Sequence, residues 1–194
     1  LSSTICVGNY TNDSGYVNNL GNWKSEIGTR GKIYATSSKG PTRQGILKPD
    51  VAASGANTVS SFPIQLTNGM ADSDLALGGK HYRNGGTSMS SPVVAGVAAL
   101  YLEKCNQTNY AHFKNDLIHS AYGDNWTGTL PNFDFGNGKL DAFQTLINSG
   151  INDTTIQSAC DSLLWNNMYY NTSGYQTSIN INSKGCDSIH VLDL

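Results

Sequence analysis

Apolar and polar positions along this chain follow two different patterns. In the first part, short apolar runs at 4–8, 33–35, 51–53 and 56–59 read as strands set between long loops rich in Asn, Gly and Ser. The run from Pro92 to Leu102 carries no charge and no polar face. A helix there, from about Ser88 to Lys104, is expected to be covered on all sides. A second helix is expected after Thr108, whose hydroxyl is placed to cap the free N–H groups of residues 109–113, and a third from about Leu140 to Leu146. Strands alternating with helices predict an α/β fold with a mainly parallel sheet. After Ser149-Gly150 the helical period disappears. An aromatic stretch, Trp165 to Tyr175, lies between two copies of Cys-Asp-Ser at 160–162 and 186–188, and alternation over 175–181 and 189–194 reads as strand. The expected organisation is a large unit over 1–150 and a small β-rich unit over 151–194.

The start of the apolar helix carries the chemistry. Gly86-Thr87-Ser88-Met89-Ser90-Ser91-Pro92 runs straight into Val93-Val94-Ala95-Gly96-Val97-Ala98-Ala99-Leu100. Ser88 is thereby placed where unpaired N–H groups and the positive end of the helix dipole stabilise an anion, and Gly86 permits a backbone path that a side chain would obstruct. Acyl transfer needs such a site. A helix-capping serine with no chemistry is the plainer alternative.

The Gly-Thr-Ser-Met-Ser-Ser-Pro run and the apolar helix behind it resemble the nucleophile motif of subtilisin-like serine proteases, with Ser88 on the family's catalytic serine and Gly86, Thr87 and Pro92 completing the motif. Weaker matches follow the family's order. Ile5-Cys6-Val7-Gly8 resembles a strand ending in Val-Gly, and Ser37-Ser38-Lys39-Gly40-Pro41 resembles a Ser-Ser-x-Gly-Pro turn. Lys48 to Gly55 resembles Lys-Pro-Asp-Val-x-Ala-Pro-Gly, with Ser54 in place of the proline, and Phe135 to Ala142 resembles the glycine-rich turn before the last helix. The resemblance covers roughly 4–148. It implies part of the subtilisin parallel sheet with packed helices, and a serine endopeptidase acting on protein or peptide through an acyl-enzyme on Ser88. The Ser88 backbone N–H would serve as one oxyanion donor.

The same resemblance implies an aspartate and a histidine upstream of the serine. An Asp-Ser-Gly occurs at 13–15, but it follows the Ile5 to Gly8 segment that matches the middle of the family's domain; no Asp-Thr-Gly or His-Gly-Thr-His run occurs, and the Ala-Gly-Asn turn carrying the oxyanion asparagine is absent. The first residues match the middle of the family's catalytic domain. The expectation is therefore the C-terminal portion of a longer polypeptide, inactive by itself, whose partner is the missing N-terminal part of the catalytic domain. The competing class is a degenerate protease fold kept as a surface-binding or adhesive module. Of the four histidines, His81 reads as a loop residue, His112 and His119 as residues of the second helix without zinc-pair spacing, and His190 as part of the tail strand; none takes the role of base. Asp50 aligns with a family position near a weak cation site in some members, but reads better as a carboxylate closing a strand turn. No cofactor and no metal ligand set is assigned, and a structural calcium would belong to the parent.

The tail resembles the Cys-Asp-Ser-x-x-Trp repeats of exported Bacteroidetes-type proteins. That context implies a secreted or cell-surface protein and makes Cys160 and Cys186 the disulfide candidate, with Cys6 and Cys105 free and buried. Twelve basic and 14 acidic residues give a net charge of −2, which points to no nucleic acid or anionic membrane, and no apolar run is long enough for a membrane span. Asn-x-Ser/Thr sequences at Asn9, Asn12, Asn106, Asn125, Asn152 and Asn171 are what an Asn- and Thr-rich chain produces by chance.

Overall fold

The computed structural model describes residues 3–150 and 152–194. The expected boundary at residue 151 falls outside them. The elements in chain order are strands β1 (Val7–Thr11), β2 (Gly15–Val17), β3 (Trp23–Ser25), β4 (Val51–Ala56) and β5 (Thr58–Ser61), helix α1 (Ile64–Thr67), strand β6 (His81–Asn84), and helices α2 (Thr87–Lys104), α3 (Tyr110–Ser120) and α4 (Ala142–Ile147). Strands β7 (Asn152–Ile156), β8 (Leu163–Trp165), β9 (Met168–Tyr170), β10 (Tyr175–Ile181) and β11 (Asp187–Asp193) follow. The chain packs as two compact units, one of residues 1–96 and 117–141, the other of residues 97–116 and 142–194.

In the first unit β1 and β4 pair in parallel, Val7 opposite Val51 and Tyr10 opposite Ser54. Val51, Ala52 and Ala53 are wholly buried, and small side chains there let other segments approach β4 closely. Its other edge is taken by the glycine-rich turn, with Ala52 N–H donating to Gly138 O and Leu140 N–H to Ala52 O. Beside it lies an ion pair in which the cation alone is buried. Lys139, 1% exposed, reaches Asp124 at 2.6 Å and sits 4.6 Å from the centre of the Tyr10 ring. Burial, with a smaller contribution from Tyr122, pushes the Tyr10 phenol up to about 12. Antiparallel pairs β2–β3 and β5–β6 complete the strands of this unit. The segment 33–35, expected as a strand, contributes only an isolated antiparallel bridge between Ile33 and Tyr10.

Helix α2 spans the expected stretch but is not covered on all sides. Ser90, Val94, Val97 and Tyr101 form a buried stripe at helical spacing, whereas Ser91, Pro92, Ala95, Gly96, Ala99 and Leu100 are exposed. Helix α3 is capped by Asn109, not Thr108: the Asn109 carbonyl Oδ1 accepts from His112 N–H at 3.0 Å. An amide oxygen at the residue before the first helical turn satisfies one of the unpaired N–H groups there.

In the second unit β11 is the middle strand of a three-stranded sheet, antiparallel to β10 and parallel to β7, and β8–β9 is a separate hairpin. Asn166 and Asn167, both at positive φ, make its two-residue turn. Cys186 is bonded to Cys105, not to Cys160, which is an exposed free thiol. The sheet register gives the reason. Parallel pairing sets Ile156 beside Asp193, and Cys160 shares a small cavity with Leu194 beyond the end of β11. Cys186 lies just before the start of that strand, roughly 25 Å away at the rise of an extended chain. The end of α2 instead bridges to Cys186 in an antiparallel pair. An ion pair between Lys184 and Asp116 at 2.9 Å, with Tyr101 OH donating to Asp116 at 2.7 Å, holds the same region.

Candidate functional site

Ser88 occupies the first turn of α2 with its side chain exposed. The turn before it is set by Gly86, at φ 123°, a region L side chains rarely adopt. Space is not the constraint there, since the nearest atom to a Cβ at Gly86 would lie 4.0 Å away. The torsion angle demands glycine, where the sequence had pointed to an obstructed path.

Three contacts fasten this turn to the sheet. Gly86 N–H donates to Gly55 O at 3.0 Å. The wholly buried Ser90 places its hydroxyl 3.1 Å from Ala53 O and 3.3 Å from Asn9 Oδ1. The Asn9 N–H in turn donates to Ser37 Oγ at 2.9 Å. At Gly55 the constraint is space: a Cβ would lie 2.0 Å from Ser90 Oγ and 2.8 Å from Gly86 O. Thus β1, β4 and α2 meet at Asn9, Gly55 and Ser90, and Ser88 stands on that junction. Sequence reasoning missed this trio. Its signal was Asn9, a polar residue inside an apolar strand, and Ser90, polar two positions after Ser88.

The geometry can stabilise an anion. Among the described residues the Ser88 N–H donates to no backbone carbonyl, and Met89 N–H and Ser90 N–H both turn back to Gly86 O. Pro92 carries no N–H for the Ser88 carbonyl four residues earlier, so that carbonyl lacks its usual helical partner. Among the described residues Ser88 Oγ makes no hydrogen bond to a histidine. His81 begins β6, opposite Ser61, with three strand residues of roughly 10 Å between it and the Gly85-Gly86 turn. His112 and His119 lie on α3 and His190 on β11.

Asp50 is engaged locally. Its carboxylate accepts from Lys48 Nζ at 2.6 Å and from Cys6 N–H at 2.7 Å. Both contacts are those of a charge closing a strand turn. Among the described residues no group of three or more His, Cys, Asp or Glu is arranged to hold a metal ion, and no helix is long and apolar enough to cross a membrane.

The serine protease AprX of Bacillus subtilis is 33% identical over 113 residues, covering 57% of this chain and 24% of that protein. The subtilisin-like protease SBT3.16 of Arabidopsis thaliana is 34% identical over 92 residues, covering 46% of this chain and 10% of that protein. The chain therefore spans a quarter or less of these relatives. Fervidolysin from Fervidobacterium pennivorans, described as a keratinolytic enzyme related to subtilisin, superposes with a TM-score of 0.51 at 18% identity, over 96% of this chain and 25% of its own. At that identity the likeness is one of fold, and it agrees with the α/β architecture and the parallel pairing of β1 and β4. The sequence profile of the subtilase family matches residues 1–138, which include the Ser88 turn, the Asn9–Gly55–Ser90 junction and the glycine-rich turn. The chain belongs to the subtilase family.

Proposed function

We propose that this chain is the C-terminal part of a subtilisin-like serine endopeptidase and that Ser88 is its nucleophile. The carrying observation is the exposed Ser88 hydroxyl on the first turn of α2, beside its own unpaired N–H, on a turn fixed by Gly86. In the reaction Ser88 Oγ attacks the scissile carbonyl while a histidine supplied upstream takes the hydroxyl proton and passes it to the leaving amine. Water then hydrolyses the acyl-enzyme, and an upstream aspartate orients the histidine. The Ser88 N–H holds the oxyanion together with an asparagine side chain from the same upstream region.

The exposed small and apolar residues of α2, Ala95, Gly96, Ala99 and Leu100, belong in this reading to the surface that the N-terminal part of the catalytic domain covers. The substrate is protein or peptide. The protein works outside the cell or on its surface, in keeping with the disulfide Cys105–Cys186 and the tail's likeness to exported repeats. Nothing in the reaction calls on a cofactor.

Hydrolysis of an unstructured protein tests the reading, using the longer polypeptide that contains this chain and its Ser88→Ala version. The proposal expects activity in the first and a loss of about 10⁶-fold in the second. An upstream sequence with the acid, base and asparagine positions substituted, together with no hydrolysis, would identify a binding module instead.

A further inference from the structure

Asn-Gly occurs at 68–69, 84–85 and 137–138. In this dipeptide no Cβ on the second residue crowds the approach of its backbone nitrogen to the asparagine side-chain carbonyl. The structure separates the three copies. Asn137 is tied down: its Nδ2 donates to Asp50 O at 2.9 Å, and the Gly138 N–H donates to Phe135 O at 3.1 Å. Asn68 is exposed at the end of α1, far along the chain from the Ser88 turn. Asn84 and Gly85 are both exposed at the end of β6, and there the Gly85 N–H donates to Asn84 Oδ1 at 2.8 Å. The side-chain carbonyl carbon lies one bond behind that oxygen, so the Gly85 nitrogen stands within about 4 Å of it. Among the described residues the Gly85 N–H donates to no backbone carbonyl, so the sheet does not hold it away.

We infer that Asn84-Gly85 is a self-modification site, where deamidation to an isoaspartyl linkage releases the start of α2. The Gly85 nitrogen loses its proton to hydroxide and bonds to Asn84 Cγ; the Cγ–Nδ2 bond breaks, and ammonia leaves with a proton taken from water. The product is a succinimide ring. Water then opens it at either carbonyl. Opening at the side-chain carbonyl gives aspartate, whereas opening at the backbone carbonyl gives isoaspartate, whose main chain runs through Cβ and Cγ and is one atom longer. That atom finds no slack. Asn84 is paired with Thr58, the Gly86 N–H is held by Gly55 O at 3.0 Å, and Gly85 alone lies between the two anchors. One of them must yield, and the second fastens the start of α2 to β4. The inference does not depend on the chemistry of Ser88.

Peptide mapping by mass spectrometry of the full chain, held at neutral and at mildly alkaline pH, tests it. The Asn84 peptide should gain the mass that replacing NH2 by OH adds, faster at the higher pH and with isoaspartate among the products, while the Asn137 peptide stays unchanged. In Gly85→Ala the new Cβ meets its nearest atoms at 3.5 Å, ordinary contact, so the variant should fold. It should slow the conversion at least about tenfold by moving the attacking nitrogen off its approach. The structural consequence is read by urea unfolding in an Asn68→Gln background, which removes the other exposed copy. The converted chain should unfold at lower urea than Asn84→Asp, which carries the same charge without the added backbone atom. Asn84 unchanged while Asn68 converts, Gly85→Ala converting at the parent's rate, or a converted chain with the urea midpoint of Asn84→Asp would each overturn the inference.

Discussion

Some single residues have surroundings that leave them no alternative. Gly55 is one. Adding a methyl group there drives it into Ser90 Oγ and Gly86 O, so Gly55→Ala should displace the start of α2 and destabilise the chain by about 1–3 kcal/mol, measured by urea unfolding. Gly69→Ala, where nothing lies within 4 Å of a Cβ, is the matched control and should change little. Asp124 is another. Burial pushes its carboxyl up, but the hydrogen bond from Lys139 and those from the Trp126 and Thr127 amides outweigh this and hold it below the usual carboxylate range. A folded value below the unfolded one stabilises the protein above about pH 4, and that stability is lost as pH falls through the folded value. The first unit should therefore loosen on acidification below pH 4. Asp124→Asn should remove that part of the pH dependence and leave the buried Lys139 without its counter-charge, at a cost of about 1–3 kcal/mol, less than for a wholly buried pair because Asp124 reaches solvent. A variant with an unchanged acid-unfolding profile would contradict this.

At the scale of elements, what could be read in the sequence was what local pattern decides. The apolar run with Gly86 before it placed α2, and alternation placed β10 and most of β11, because side-chain period and helix-start chemistry are local. Residues 33–35 look like a strand yet contribute one bridge, since strand identity needs a partner and Tyr10 alone provides one. The cover of α2 and the partner of Cys186 depend on residues distant in sequence, which no local pattern reports. The bridge Cys105–Cys186 joins positions 81 apart and restricts the unfolded chain by about 4–5 kcal/mol. Peptide mapping without reduction should recover Cys105 linked to Cys186 and find Cys160 alkylated in the native protein. Reduction should lower stability in urea by a comparable amount. A Cys160–Cys186 peptide would refute the sheet register as well as the bridge.

For the whole molecule, the Ser88 turn could be read from the motif, whereas the junction beneath it could not, because Asn9, Gly55 and Ser90 meet only once β1, β4 and α2 are packed. In the proposed reading Ser88 supplies the nucleophile and one oxyanion donor while the base comes from upstream, so residues 1–194 alone should hydrolyse no protein substrate. Activity that vanished in Ser88→Ala would place a base within this chain. The claim that Ser88 is the nucleophile is tested most directly by a fluorophosphonate probe on the longer polypeptide, followed by peptide mapping. The account predicts one modified residue, Ser88, and no labelling in Ser88→Ala. Modification at another serine, or labelling that survives the substitution, would contradict it.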